Sequence, residues 1–368
     1  MADENATNVS RRPGRLKRFL RRTILVLFLV VIVALLVGAS YQWMGNSADA
    51  KRFPQQGKLI PLGAEFGNVA LNLDCQGQGS PTVVLDSGLG VPGIGWERVQ
   101  AEVAKFTRVC WYDRAGYGWS DGSKAPRTSL EIAKELHALL AAAHESGPFV
   151  LAGHSFGGYN VRVYNGQYPT EVVGMVLVDA SHEDQESREP PAMQAMMKKY
   201  QEGLKKQEML APLLIRLGVA RFQQRNQPQG EGISKEFGQE LAYLQLQPKF
   251  VEAAASEMGL FSESANQVRA AGNLGDKPLV VLTAGKNVDA SQLPAEIPKK
   301  EMDDFHAVWM NELQVKEAHL STRGKQIIVP DSDHMIPFER PDAIVDALRE
   351  VCAAVNASKP SEAAAGSH

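Results

Sequence analysis

The sequence predicts an α/β protein: a mostly parallel sheet with helices on both faces, a helical insertion, and one transmembrane helix ahead of it. Three patterns carry that expectation. Fully apolar, β-branched runs recur and end in Gly or Asp, as in "SPTVVLDSGLG", "GPFVLAG", "EVVGMVLVDAS" and "KPLVVLTAG". Runs without a polar face suit strands buried on both sides, the condition of a parallel sheet. Stretches with helical spacing separate them, and strands alternating with helices are the mark of βαβ connectivity. Finally, a 17-residue uncharged run, Thr23 to Ala39, follows a segment with seven Lys/Arg and no acid at 11–22.

That N-terminal run spans ~26 Å as a helix, slightly short of a ~30 Å hydrocarbon layer. Ser40 and Tyr41 extend it, and Tyr41 and Trp43 suit the far interface. The expected organisation is a basic cytoplasmic segment at 1–22, an anchor at 23–43 and a polar linker at 44–56. The globular part then lies on the exported side. A cleaved signal peptide is the competing reading, since "ADA" at 48–50 resembles a cleavage site, though it lies well past the apolar run.

Beyond the linker, "NVALNLDCQG" alternates apolar and polar residues as a half-buried strand does. "FTRVCWYDRAGYG" repeats the buried-strand pattern. "TSLEIAKELHALLAAA" opens on a capping box, Thr128 with Glu131 three residues on, and Leu136, Leu139 and Leu140 continue it at helical spacing. "YNVRVYNGQYP" reads as a further helix. Residues 182–275 break the rhythm: they are polar, rich in Gln, Lys, Glu and Met, and read as a helical insertion. Alternation resumes with "KPLVVLTAG", "PKKEMDDFHAVWMNELQVKEAHLS", "KQIIVPDSDH" and "RPDAIVDALREVCAAV". The core is thus 57–181 with 276–356, and 357–368 is an Ala/Ser-rich tail expected to be disordered.

Of 368 residues, 44% are apolar and 22% charged, with a net charge of −3. No basic field points to nucleic acid. The three cysteines, Cys75, Cys110 and Cys352, form no C-x-x-C motif, and neither a metal cluster nor a dinucleotide loop is present, so no cofactor is expected.

"GHSFG" at 153–157 matches G-x-S-x-G. Chance gives only ~0.1 such matches in a chain this long, and here the match follows a buried strand and opens a helix. In that setting the backbone turns sharply, the glycines avoid clashes that a Cβ would cause, and Ser155 is pushed out of the sheet edge. The Phe156 N–H, at the helix start, points to the same place. A serine hydroxyl needs a base. His154 adjoins Ser155 but its side chain points away. His137, His144, His306 and His319 fall in or beside helices, and His368 lies in the tail. His334, in "VPDSDHMIPFERP", follows the last apolar strand, where the loops of a parallel sheet gather around a ligand. The acid that orients the imidazole is Asp179, ending "MVLVDAS", or Asp289, in "TAGKNVDAS". Asp333 adjoins His334 and suits a turn. A second oxyanion donor is sought in "DSGLG" at 86–90, with the Leu89 N–H as candidate.

These residues resemble the α/β-hydrolase superfamily over about 58–355. The order Ser155, then Asp179 or Asp289, then His334 is similar to that family's serine, acid, histidine. "YDRAGYGWSD" looks like its D-x-x-G-x-G-x-S segment. Two departures stand out: Ser87 occupies a place where His is common, and the usual G-x-x-D is absent because Asp289 is one residue too far along. The second departure favours Asp179. The resemblance implies an eight-stranded sheet ordered 1-2-4-3-5-6-7-8, a cap formed by 182–275, and neighbouring strands for Cys75 and Cys110, hence a disulfide between them. It also implies hydrolysis of a carboxylic ester or amide with an apolar acyl group. An aminopeptidase, a C–C bond hydrolase and a cofactor-free haloperoxidase share the constellation. A non-catalytic binding module is the reading from another class. Serine at the elbow separates the chain from dehalogenases and epoxide hydrolases, which use aspartate.

Overall fold

A computed structural model describes residues 13–224, 232–287 and 296–358. Eight strands form one sheet: β1 (Lys58–Pro61), β2 (Ala70–Gln76), β3 (Thr82–Asp86), β4 (Val109–Tyr112), β5 (Phe149–His154), β6 (Val172–Val178), β7 (Leu279–Ala284) and β8 (Gly324–Val329). Their order is β1-β2-β4-β3-β5-β6-β7-β8. Only the β1–β2 and β2–β4 pairs are antiparallel; the other five are parallel. The order is the one that the family resemblance implies.

The apolar runs behave as strands covered on both faces. Val83, Val84 and Leu85 are fully buried, with Val84 in one core layer and Val83 and Leu85 in the other. The first layer packs under α3 (Ser129–Ala142) and α4 (Phe156–Gln167), the second under α2 (Glu97–Val103) and α14 (Pro341–Ala357). Burying each such side chain contributes about 1.5–3 kcal/mol. Thr128 caps α3 by accepting from the Glu131 N–H.

Between β6 and β7 the described residues form six helices: α5 (Gln185–Arg188), α6 (Pro191–Arg216), α7 (Val219–Gln224), α8 (Lys235–Gln245), α9 (Pro248–Gly259) and α10 (Phe261–Ala271). Past β7, α11 (Lys299–Val308) runs through a π-helical turn at Trp309–Leu313 into α12 (Gln314–Ala318). The sequence reads this region as one helix, because a single inserted residue leaves the apolar spacing almost unchanged. Helix α13 (Ile336–Glu339) precedes α14.

At the other end, α1 (Pro13–Arg52) is 40 residues long. Its apolar part is not buried against the protein, and it is the one helix among the described residues long and apolar enough to cross a membrane. The polar stretch read as a linker from residue 44 is helical as far as Arg52. Arg221 bonds Gln42, Asn46 and Asp49, which lie one above another on a helix face and hold these turns. Pro54 follows the helix end. The tail residues 359–368 lie outside the described residues.

Cys75 and Cys110, register partners on β2 and β4, form a disulfide; Cys352 is buried and free. The crosslink closes a loop with a sequence separation of 35. Replacing both cysteines with Ala is expected to cost roughly 2–4 kcal/mol of stability, read as a lower urea midpoint for the full chain in detergent under non-reducing conditions.

Candidate active site

The turn from β5 into α4 places Ser155 at φ 52°, ψ −122°, a sparsely populated conformation costing roughly 1–3 kcal/mol. Its neighbours permit it. A Cβ on Gly153 would collide with the Gly157 carbonyl, and one on Gly157 with the Asp86 carbonyl. The backbone then holds it: Ser155 N–H donates to Val178 O (3.1 Å), while Ser155 O accepts from Gly158 and Ser181 N–H (2.9 and 3.0 Å). The hydroxyl faces outward at the C-terminal edge of the sheet.

His334 reaches it from the loop after β8. Its Nε2 lies 2.9 Å from Ser155 Oγ and its Nδ1 2.6 Å from Asp179 Oδ2. A carboxylate only accepts, so Nδ1 carries the proton and Nε2 is free to accept from the serine. Asp179 follows β6 with a positive φ of 40°, and its Oδ1 accepts from the Ala284 N–H and the Trp309 Nε1–H, both at 2.9 Å. Burial alone favours the neutral forms of both groups. The hydrogen bond and charge between them prevail, lifting the His334 pKa above the ordinary imidazole value and holding Asp179 below the usual carboxylate range. The His334 side chain keeps 48% of its surface accessible, against 3% for Asp179. Of the two acids read from the sequence, Asp179 is the one brought to His334; Asp289 lies outside the described residues.

Two partners were not legible in the sequence. Trp309 arrives from the π-helical turn, whose extra residue is invisible in spacing. His154 lies against His334: its Nε2 is 2.8 Å from the His334 carbonyl oxygen, and the rings lie 4.9 Å apart. Burial pushes its pKa down to about 3, so it is neutral, with Nε2–H donating to that carbonyl and holding the loop.

The loop after β3 passes beside the hydroxyl. A Cβ built on Gly88 would lie 3.2 Å from Ser155 Cβ, and Leu89 follows next. Phe156 is the first residue of α4, with an N–H that has no acceptor one turn earlier in the helix. Arg114 braces the loop, its Nη1 donating to Asp86 Oδ1 (2.8 Å) and Ser87 O (2.6 Å), and its Nη2 to Gly88 O (3.1 Å). Its Nε and Nη2 also reach Glu257 of α9, at 2.8 and 3.0 Å. Tyr117 donates to Glu257 (2.6 Å) and accepts from the Gly90 N–H (3.1 Å). The insertion and the loop beside Ser155 are thus joined through one buried guanidinium.

A cleft of about 720 Å³ is lined by Val91, by Met335, which follows His334 in the chain, by Leu241 and Tyr243 of α8, and by Tyr41 and Arg221; Ser155, His334 and Asp179 are not among its walls. Among the described residues, His182, Glu183 and Glu317 are close enough to share a cation. Arg162 already occupies that role, bonding both carboxylates at 2.7–2.8 Å.

A serine on a strained strand-to-helix turn, facing a histidine–carboxylate pair at the edge of a mostly parallel eight-stranded sheet, defines the α/β-hydrolase class. The chain belongs to the alpha/beta hydrolase family, whose model matches residues 83–347. Among solved structures it is similar to an esterase from Thermogutta terrifontis, 24% identical, with 82% of this chain and 99% of that one covered and a TM-score of 0.53. A Salmonella enterica protein described as an acyltransferase matches at 18% identity, over 81% of this chain and 95% of the other, with a TM-score of 0.60. Of curated relatives, the Hormonema carpetanum protein efuK, described as a transporter, is 24% identical over 74% of this chain. YqjL of Bacillus subtilis is 33% identical over 28% of it. The matches span only 39% and 41% of those two relatives' own lengths.

Glu257→Gln keeps shape but removes a charge from Arg114 in a fully buried setting. Breaking such a pair costs about 3–5 kcal/mol, so thermal unfolding is expected to shift down by several degrees, a larger shift than for Glu252→Gln on the same helix.

Proposed function

We propose that the protein is a membrane-anchored serine hydrolase that cleaves a carboxylic ester, or an amide, through an acyl-enzyme. One observation carries the reading: Ser155, His334 and Asp179 are linked in a chain of hydrogen bonds of 2.9 and 2.6 Å, with the histidine in the tautomer that accepts from serine. His334 Nε2 takes the Oγ proton as Oγ attacks the carbonyl carbon. The N–H groups of Phe156 and Leu89 receive the developing oxyanion. Collapse of the tetrahedral intermediate breaks the bond to the leaving group, which takes the proton from His334. Water, deprotonated by the same imidazole, then releases the acid and restores Ser155. Asp179 orients the ring and stabilises it while charged, and Trp309 and Ala284 keep that carboxylate ionised and aimed.

Helices α5–α10 act as a cap over the edge of the sheet, and the cleft beside Met335 offers room for an apolar acyl group. The helix α1 serves as an uncleaved anchor, its basic flank in the cytoplasm and the hydrolase outside. The disulfide supports the exported side, because such bonds persist in oxidising compartments.

A fluorophosphonate probe should label the folded wild type on Ser155, and Ser155→Ala should abolish both labelling and turnover of p-nitrophenyl esters. No adduct on Ser155 in folded protein would sink the reading in favour of a binding module. The acid side of the rate profile follows from His334, which works as a base only when deprotonated. Its pKa is raised by Asp179, so kcat/KM should climb with pH through a midpoint above ~6.5. Asp179→Asn should lower kcat about 10⁴-fold and move that midpoint to lower pH. Trp309→Phe removes one donor from the carboxylate, with a loss of about tenfold in kcat and little change in KM expected.

A further inference from the structure

The end of α6 and the short α7 dock on α1, and the contact sets their depth. A Cβ on Gly38 would collide with the Leu217 carbonyl, and one on Gly218 would come within 2.9 Å of Tyr41 Cδ1 and 3.0 Å of the Gly38 carbonyl. One turn on, Arg221 donates to Gln42 (3.1 Å), Asn46 and Asp49 (both 2.6 Å). If α1 crosses a bilayer from Thr23, a ~30 Å hydrocarbon layer takes about 20 residues and ends near Gln42. Gly38 then sits about 22 Å in, inside the far margin of that layer. Whatever part of the protein is clamped at Gly38 faces acyl chains.

The clamped surface has that chemistry. Leu210, Leu213, Leu214 and Val219 are exposed, and Phe222 is 67% exposed. All lie on α6 or α7 within two helical turns of the Leu217–Gly218 turn. Residues 209–224 hold no acid and two arginines, Arg216 and Arg221, which suits a boundary between chains and phosphates. In water such an edge would be an unpartnered apolar patch. Here it continues the lipid-facing surface of α1.

We infer that the edge of the insertion formed by residues 210–222 seats in the leaflet where α1 emerges, with lipid acyl chains as its partner. It rests on the reading of α1 as a membrane helix. The cleft lined by Tyr41, Arg221, Tyr243 and Met335 shares Arg221 with that edge, and Met335 directly follows His334 in the chain.

The full chain, reconstituted in phosphatidylcholine/phosphatidylglycerol vesicles, carries an environment-sensitive fluorophore on one introduced cysteine. The positions are Phe222→Cys, Leu213→Cys as a second probe of the edge, Leu36→Cys on α1, and Lys105→Cys at the opposite end of the sheet. Nitroxides on lipid chains should quench positions 36, 213 and 222 about twofold or more beyond position 105. Quenching at 36 with 213 and 222 as dim in response as 105 overturns the inference and leaves the anchor standing. Without quenching at 36, the anchor reading fails and takes the inference with it. If the labelled position 222 is unquenched by lipid and the unlabelled Phe222→Cys chain, treated with copper–phenanthroline as oxidant, forms a disulfide between copies there, a second copy is the cover and the inference is also overturned.

Discussion

Ser155 sits in a backbone conformation that no local preference would sustain, and the rest of the site follows from that constraint. The turn fits only because Gly153 and Gly157 lack side chains where β5 and α4 meet the β3 edge. Its cost of roughly 1–3 kcal/mol is offset by a sheet whose strands are buried on both faces. The Val178 and Ser181 backbone, on the next strand and its loop, binds Ser155 from both sides. The same β6 edge then delivers Asp179. Serine and acid are therefore positioned by one pair of adjacent strands, and only His334 has to come from farther along the sheet.

That division explains what the sequence discloses. Ser155 is legible because the strain demands glycines at fixed offsets, and His334 because the loop after the last strand has few other roles for an imidazole. Asp179 was one of two acids, since sequence does not say how far a loop departs from its strand; Asp289 lies outside the described residues. Trp309 and His154 were not legible. The first depends on one extra residue in a helix, the second on a carbonyl 180 residues away. The segment "YDRAGYGWSD" was recognisable as a pattern, yet its physical task appears only in three dimensions. Buried Asp113 accepts from Gly93 N–H (2.7 Å), Trp119 N–H (3.1 Å) and the Asn72 amide (3.0 Å). Burial raises its pKa against those donors, so the loop is held by an acid that must find partners for its oxygens.

Charge burial also sets how the insertion relates to the core. Arg114 is 2% exposed and faces two carboxylates that are wholly buried, Asp86 below and Glu257 above. Replacing such a cluster with apolar side chains can be neutral or stabilising, so its value lies in direction. Five donors in a planar fork fix where the β3 loop, Tyr117 and α9 stand relative to one another. Because Ser87 and Gly88 accept from the same guanidinium, the loop beside Ser155 cannot shift without moving the helix above it.

A second coupling runs outward. Arg221 links α7 to three turns of α1, and the Leu217–Gly218 turn packs on Gly38 where only a glycine leaves room. A flexible linker would let the globular part move freely relative to α1. A helix continuous to Arg52 and clamped by α7 instead fixes how the two are oriented. The insertion is thereby held twice, to the sheet through Glu257 and to α1 through Arg221. The cleft beside the second attachment is lined by Tyr41, Asp49 and Arg52 of α1 and by Arg221, Leu241 and Tyr243 of the insertion, so the position of α1 shapes its mouth.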